Sequence, residues 1–282
     1  MIYNISSENL NNPVLKDLLK ELSCFFNPLS IDFYVIGAMA RDIILSNLHD
    51  FQPYRKTVDL DIAITIPDWS QFDIIERKLT EMEVFKKSKD QKQRFIYKDV
   101  YIVDIVPFGD VAKDDGNIYW PPDGTIAMSV LGFLYMANAA IAIDIDHEFT
   151  IKVSSLPGLF LLKIIAWKDR HFSGTKDAYD LALILSNYLD INSERAIDEH
   201  YDLYEDDKFD RVVAGARLIA RDIKQMTQRN ERTLKYMIGI LMNEIVHAEE
   251  SLLINQLIES DTRLQYEQVF DSLESILIEW EL

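Results

Sequence analysis

The chain has 282 residues, 48% of them hydrophobic and 27% charged, with a formal net charge of −18. This length and composition fit a folded globular protein of about two domains and exclude a disordered or low-complexity chain. Its single cysteine, Cys24, excludes a disulfide framework, and the strong acidity disfavours a general nucleic-acid binder.

Hydrophobic periodicity predicts alternating helices and strands in the first half of the chain. The predicted elements are helices over 13–25, 38–47 and 69–82, strands over 33–36 and 58–66, a hairpin of 94–97 and 100–106 around Lys98-Asp99, and a hairpin of 141–145 and 149–153. A mixed sheet with flanking helices, an α+β fold, is therefore expected here.

From residue 156 onward the chain is predicted to be helical. The predicted helices cover 156–167, 175–188, 207–226, 231–258 with a break, and 264–277. We therefore expect an α+β domain over 1–154 and an α-helical domain over 155–282, with an active site in the cleft between them. The longest apolar run, 130–143, is too short to span a bilayer, and the amino terminus lacks signal-peptide features, so a soluble cytoplasmic protein is expected.

Three aspartates on two predicted strands indicate a metal site. Asp59 and Asp61 alternate with apolar residues, so both carboxylates lie on one face of their strand, and Asp104 occupies the second strand. Two such charges about 4 Å apart repel by roughly 4 kcal/mol at an effective dielectric near 20, so a bound cation is expected. Oxygen ligands suit Mg²⁺, which pairs carboxylates with substrate phosphates in metal-assisted phosphoryl or nucleotidyl transfer.

The dipeptide Gly37-Ala38 joins the strand 33–36 to the following helix. The unpaired N–H groups and the dipole at a helix amino terminus favour an anion, and glycine permits close approach of a phosphate. A simple strand-to-helix turn is the alternative interpretation. The ordered set of Gly37-Ala38, Asp59-x-Asp61 and Asp104 favours a nucleotide site.

Lys163 and Arg170 fall on one face of the apolar helix 156–167 and its extension. Such a lysine either reaches water or faces a charged site. One alternative is an ion pair with Asp177 or Asp180 on the next helix, worth about 1 kcal/mol at most if it lies partly in water.

Two clusters of basic side chains stand out against the acidic background. In both, a solvated face is the alternative to a phosphate-binding role. The first comprises Lys86, Lys87, Lys89, Lys92, Arg94 and Lys98, and the second is a helical row of Arg217, Arg221 and Lys224 that would guide the phosphates of an RNA acceptor.

These motifs resemble the polymerase-β-type nucleotidyltransferase superfamily. The segment 37–42 is similar to the corresponding motif of tRNA CCA-adding enzymes. The segments 163–170 and 176–181 resemble the third and fourth motifs of the AbiEii/AbiGii-like abortive-infection toxin nucleotidyltransferases. The resemblance runs from about Tyr34 to Leu189. Many members carry Ser or Gly at the position of Ala38.

The resemblance implies an enzyme that moves a nucleoside monophosphate from an NTP to an acceptor, either RNA (a tRNA 3′ end) or protein, as the toxin of a toxin–antitoxin system with a basic antitoxin. It implies two Mg²⁺ ions, or Mn²⁺, at Asp59, Asp61 and Asp104, with Asp104 also acting as general base. By the same resemblance, Lys163 is the fourth catalytic residue, and it would contact the nucleotide phosphates. The nucleotide-binding residues that the resemblance implies are Gly37, Ala38, Arg41, Lys163, Arg170, Asp177 and Asp180.

Two alternatives to this function stay open. The acidity would suit a small cationic acceptor such as an aminoglycoside. A non-catalytic nucleotide-binding module is the third reading: Ala38 keeps it open, while the three carboxylates argue against it.

Overall fold

The computed structural model of the protein describes residues 2–10, 12–49, 57, 59–205, 208–227 and 231–281. Contacts between residues divide the chain into two compact units, Met1–Ser155 and Leu156–Leu282. A mixed β-sheet with helices forms the first unit, and helices form the second. The predicted α+β fold class is therefore confirmed.

The strands of the first unit are β1 (Ile2–Ile5), β2 (Phe33–Ile36), β3 (Asp59–Thr65), β4 (Phe85–Lys87), β5 (Arg94–Tyr97), β6 (Tyr101–Phe108), β7 (Asn117–Tyr119), β8 (Ala127–Ser129), β9 (Ile141–Ile145) and β10 (Phe149–Val153). Within the described residues, one sheet has the order β1-β9-β10-β2-β3-β6-β5-β4, and β7 pairs with β8. The pairs β1–β9, β10–β2 and β3–β6 are parallel, and the other neighbours are antiparallel.

The centre of this sheet follows directly from the pattern of apolar residues. All four residues of β2 are buried, which is typical of a strand covered on both faces. In β3, Leu60, Ile62 and Ile64 are fully buried at 0% exposure, whereas Asp59 and Asp61 are half-buried. The alternation therefore places both carboxylates on the face opposite the leucine and isoleucines.

The helices of the first unit are α1 (Pro13–Phe26), α2 (Gly37–Asp42), α3 (Trp69–Glu81) and α4 (Phe133–Asn138). Those of the second are α5 (Leu156–Arg170), α6 (Lys176–Ile191), α7 (Ser193–Glu199), α8 (Arg211–Thr227), α9 (Glu231–His247), α10 (Leu252–Ser260) and α11 (Tyr266–Glu281). No helix in the described part of the chain is long and apolar enough to cross a membrane.

Several predicted boundaries shift for local reasons. The helix predicted over 38–47 is α2 followed by a π-helical segment, Ile43–Leu48. The predicted break in 231–258 lies between α9 and α10, where the Ser251 side chain accepts the N–H of Ile254 and starts a new helix. The predicted starts at Val58 and Asp207 lie outside the described residues.

The hairpin of β5 and β6 has a three-residue connection, Lys98 to Val100, so β6 begins one residue later than predicted. Lys98 and Asp99 both have positive φ, at 48° and 57°. This length pairs Arg94 with Asp104. A two-residue connection would have paired Arg94 with Val103 and turned its side chain to the other face.

Candidate active site

The turn between β2 and α2 is built on Gly37. Gly37 has φ of +67°, a conformation that residues with a Cβ rarely adopt. Ile36, the residue before the helix, has no polar side chain with which to cap it, so its side chain satisfies none of the N–H groups of the first turn. Gly37 and Ala38 thus begin a helix that directly follows a buried strand, as predicted.

The carboxylate of Asp61 lies against Gly37. A Cβ built on Gly37 would stand 2.3 Å from Asp61 Oδ2, far inside van der Waals contact. The neighbouring residue Ile36 pairs with Asp61 across β2 and β3, which explains the close approach. Gly37 is therefore required here for two reasons: its backbone conformation and the space that it leaves for a carboxylate.

Asp61, Asp104 and Arg94 form one row across three adjacent strands. Asp61 pairs with Asp104 between the parallel strands β3 and β6, and Asp104 pairs with Arg94 between β6 and β5. Asp59 lies two residues before Asp61 on the same face, opposite Ile102. We call Asp59, Asp61, Asp104 and Arg94 the carboxylate site.

Arg94 holds the third carboxylate with two hydrogen bonds. Its Nε donates to Asp104 Oδ1 at 2.9 Å, and its Nη2 donates to Asp104 Oδ2 at 2.8 Å. This two-point geometry is among the stronger charge-assisted interactions in proteins. The hydrogen bonds to Asp104 raise the pKa of Arg94, and the negative charges of Asp59 and Asp61 raise it further. The charges of all three carboxylates therefore stabilise the protonated form of Arg94.

The donor set suits a hard divalent cation at Asp59 and Asp61. Both carboxylates are half-buried and share a face, and oxygen ligands are those that Mg²⁺ and Mn²⁺ prefer. In the ranges that the structure describes, however, no group of three Asp, Glu, His or Cys side chains is arranged to hold a metal ion. Arg94 engages both oxygens of Asp104, and a cation contact at the third carboxylate stays a prediction.

Arg41 lies in the interior of the first unit. Its side chain is 2% exposed, and its Nε donates to Asp42 Oδ1 at 2.8 Å. Thr57 donates its hydroxyl to the other oxygen of Asp42. Asp42 therefore balances the charge of Arg41, and a contact between Arg41 and a nucleotide stays a prediction.

Four of the charged residues in the third and fourth motifs form what we call the Lys163 cluster, made of Lys163, Arg170, Asp177 and Asp180. Lys163 Nζ lies 3.0 Å from Asp177 Oδ1 and 2.5 Å from Asp180 Oδ2. Arg170 donates from Nε and Nη2 to the two oxygens of Asp177, at 2.7 and 2.9 Å. The structure thus has the helix-to-helix ion pair that was the alternative for Lys163.

The cluster is more buried than an ion pair partly in water. The side chains of Lys163, Asp177 and Asp180 are 12%, 5% and 5% exposed. Burial by itself lowers the pKa of Lys163, but the charges of Asp180 and Asp177 outweigh it and raise the pKa, so Lys163 stays protonated. The value of about 1 kcal/mol for a pair partly in water therefore does not apply here, and removing one partner of a buried pair is expected to cost about 3–5 kcal/mol.

Most residues of the two basic clusters bond to acidic residues. In the helical row, Arg217 and Arg221 both bond to Glu279 and Asp202, and Lys224 Nζ donates to the Glu279 carbonyl oxygen at 3.0 Å. In the first cluster, Lys86 pairs with Asp99, Lys87 with Glu76, Lys98 with Asp17 and Arg94 with Asp104. The interpretation of the row as a phosphate guide is not supported by these contacts.

Arg94 is the site residue that sequence reasoning missed. The sequence groups it with the first basic cluster, for which a phosphate-binding role and a solvated face are the alternatives, although it lies four residues before the turn of a hairpin whose second strand carries Asp104. The number of residues between Arg94 and that turn could have indicated its partner on the second strand. The partner changes, however, when the connection is one residue longer or shorter.

A family model described as "Nucleotidyl transferase AbiEii toxin, Type IV TA system" matches residues 19–275 of the chain. Among solved structures, the chain is similar to an antigenic nucleotidyltransferase-like protein from Paracoccidioides brasiliensis, at 16% identity and a TM-score of 0.42. That likeness covers 82% of this chain and 94% of the other. No curated protein matches the sequence.

Proposed function

Because the chain belongs to the AbiEii nucleotidyltransferase family of toxin–antitoxin systems, we propose that it transfers a nucleoside monophosphate from an NTP to an RNA end in a Mg²⁺-dependent reaction. The observation that supports this proposal best is the Asp61 carboxylate seated against Gly37, with Asp59 on the same face. A phosphate near the amides of Gly37 and Ala38 would thus lie beside the two proposed cation ligands.

In the proposed reaction, an acceptor hydroxyl attacks the α-phosphorus of the NTP. A new phosphorus–oxygen bond forms, the bond to the bridging oxygen of pyrophosphate breaks, and pyrophosphate leaves with the electron pair. A divalent cation bound by Asp59 and Asp61 would offset negative charge on the phosphates. The Gly37 and Ala38 amides would donate hydrogen bonds to a phosphate oxygen.

Asp104 is the proposed acceptor of the hydroxyl proton and an additional cation ligand. Arg94 now bonds to both of its oxygens, so Asp104 would act as a base only after one of these hydrogen bonds opens. Lys163 is not needed for this scheme, since a phosphate contact would require it to leave Asp177 and Asp180.

Fewer observations support the proposed acceptor and the proposed partner. RNA is proposed as the acceptor because the motifs resemble those of RNA-modifying members of the superfamily. A small cationic acceptor is the second candidate, because the net charge is −18 and Glu279 and Asp202 engage Arg217 and Arg221. The family pairs a toxin with an antitoxin, and the same acidity favours a basic antitoxin.

Incubation of the purified protein with each α-³²P-labelled NTP, Mg²⁺ and cell lysate tests the proposal. We expect label in RNA that is removed by ribonuclease and is absent with the Asp59→Asn/Asp61→Asn variant. Label that enters the small-molecule fraction instead would support the cationic acceptor, and label in protein would identify a protein acceptor. No incorporation in any fraction with any of the four NTPs contradicts the proposed reaction.

A further inference from the structure

A short stack of aromatic rings reaches the surface of the second unit between α5 and α6. The ring of Trp167 is buried and packs on His171, with ring centroids 4.5 Å apart and an interplanar angle of 24°. His171 in turn contacts Phe172, at 4.0 Å between centroids. Phe172 is 86% exposed. We call Trp167, His171 and Phe172 the Phe172 stack, which presents an aromatic ring to solvent on a buried support.

Hydrogen bonds hold the support of the exposed ring in place. Trp167 Nε1 donates to Oε1 of Gln256 on α10, at 2.8 Å. The Nδ1–H of His171 donates to the Trp167 carbonyl oxygen at 3.0 Å, and Gln256 Nε2 donates to the His171 carbonyl oxygen at 3.4 Å. A ring on a fixed support loses little conformational freedom when a flat partner stacks on it, so the Phe172 stack is preorganised for binding.

Basic side chains stand at both ends of the segment that carries the exposed ring. The segment 170–176 begins with Arg170 and ends with Lys176, both are exposed, and it contains no carboxylate. Asp169 and Asp177 border the segment, and Asp177 bonds to Arg170. Surfaces that bind single-stranded nucleic acid combine aromatic rings, on which bases stack, with cations that follow the phosphates. The stack and Lys176 supply these two features.

The same unit contains a second set of exposed rings, with the opposite charge around it. Tyr201 is 62% exposed, and its ring centroid lies 6.1 Å from that of Tyr204. The segment 198–205 around them carries four carboxylates and no lysine or arginine. These carboxylates would disfavour a phosphate backbone, which makes Tyr201 a matched control for Phe172.

We propose that the Phe172 stack binds a nucleobase of the acceptor RNA, with Lys176 beside the adjoining phosphate. This inference rests on the proposed function, because it takes RNA as the acceptor. It assigns RNA binding to stacking and a local cation rather than to a broad basic face, which a chain with a net charge of −18 and engaged arginines at 217 and 221 does not offer. Every base has a π-face, so little sequence preference is expected from this contact.

Fluorescence anisotropy of a labelled single-stranded RNA of about 12 nucleotides, measured without NTP, tests the inference. Phe172→Leu removes the ring but keeps an apolar side chain, so the dissociation constant should rise about 5- to 150-fold, the range for loss of one stacked base. Phe172→Tyr keeps the ring and should bind like the wild type, as should the control Tyr201→Leu. Lys176→Gln should weaken binding and reduce the steepness of the log–log salt dependence by about 0.7, the value for one single-strand phosphate contact.

A base analogue gives a readout that an indirect structural effect would not produce. When 2-aminopurine replaces one base of the RNA, stacking on the ring should quench its fluorescence in the wild type and in Phe172→Tyr but not in Phe172→Leu. Quenching that is equal in all three proteins would overturn the inference.

The other outcomes separate this inference from the proposed function. RNA affinity that is unchanged in Phe172→Leu, or that falls equally in Phe172→Leu and Tyr201→Leu, would overturn the role of the stack. Phe172→Leu that weakens NTP binding and spares RNA binding would assign the ring to the substrate base and would also overturn it. Absence of RNA binding by the wild type would overturn it as well. In each case, incorporation of labelled NTP into RNA still tests the proposed reaction on its own.

Discussion

The carboxylate site and the Lys163 cluster are made of the same kinds of side chain but differ in burial. In the Lys163 cluster, three of the four side chains are at most 12% exposed. In the carboxylate site, Asp59 and Asp61 are half-buried. Buried charges must be balanced, whereas half-buried charges can be reached by solvent or by a ligand. The buried cluster is thus expected to stabilise the fold and the half-buried site to bind a ligand.

Substitution of Asp61 should give the largest effect and should act on activity alone. Asp61→Asn removes a proposed cation ligand, so the transfer rate is expected to fall at least about 1000-fold, the upper end of the loss for one electrostatic contact in an active site. The urea midpoint of unfolding should stay close to that of the wild type. Asp73→Asn, an exposed aspartate on α3, is the control and should change neither quantity.

Substitution of Lys163 should lower the stability of the protein and leave its transfer activity unchanged. Lys163→Met removes the cation that pairs with two buried carboxylates, Asp177 and Asp180, so the free energy of unfolding should fall by about 3 kcal/mol or more. Urea unfolding checks this value, and the transfer rate of the folded fraction should be retained. Lys168→Met, at an exposed position of the same helix, is the matched control.

A Lys163→Met protein with wild-type stability and no transfer activity would refute the structural role. It would instead support the phosphate contact that the resemblance implies, and the comparison between the two charged sets would then fail.

Gly37→Ala should have an intermediate effect that combines strain with displacement of a functional group. The positive φ costs an L-residue about 1–2 kcal/mol, and the new Cβ would push Asp61 out of place, lowering the transfer rate by roughly 10- to 100-fold. Gly124→Ala is a matched control, because Gly124 also has φ of +67° but its nearest neighbour to a built Cβ is 3.7 Å away. A rate that falls equally in both variants would show that Asp61 does not depend on Gly37.

The smallest effect is expected from pH, and it should come from the Lys163 cluster. Burial raises the pKa of Asp177, but Arg170 and Lys163 outweigh it and lower the pKa below the ordinary 3.8. Asp177 therefore contributes stability above pH 3.8 that is lost as the pH falls through its lowered value. Lys163, with a raised pKa, contributes stability below pH 10.5 that is lost at higher pH.

Urea midpoints measured between pH 3 and pH 11 should show both losses in the wild type. The acidic loss should be smaller in Asp177→Asn, which has no carboxylate to protonate at this position. If that variant lost as much stability at low pH as the wild type, the loss could not be assigned to Asp177.

Local periodicity was enough to predict the parts of the site that lie within single strands. The alternation of Leu60, Ile62 and Ile64 with Asp59, Asp61 and Ala63 predicted that the two aspartates share a face, because a strand repeats every two residues. The strands β9 and β10 were predicted with their observed bounds for the same reason.

What could not be predicted depends on contacts between distant residues or on one residue in a turn. The helical period placed Arg217 and Arg221 on one face, but it could not show that Glu279, 62 and 58 residues away, lies against them. Likewise, the burial of Lys163 depends on the packing of α5 against α6 and is not visible in either helix alone. The pattern within a single strand therefore predicted which face carries the carboxylates. Contacts between residues far apart in the chain determine which basic side chains pair with which acidic ones.

The parallel pairing of β1 with β9 has a consequence for synthesis of the protein on the ribosome. Ile2 pairs with Ala142, 140 positions later in the chain. At about 5–20 residues per second, the first strand waits roughly 7–28 s for its partner, and Tyr34 of β2 waits roughly 6–24 s for Lys152 of β10, 118 positions later. The strand that leads into Gly37 thus lacks one neighbour until more than half of the message has been translated. A nascent toxin would therefore carry its motifs well before it could assemble the sheet that aligns them.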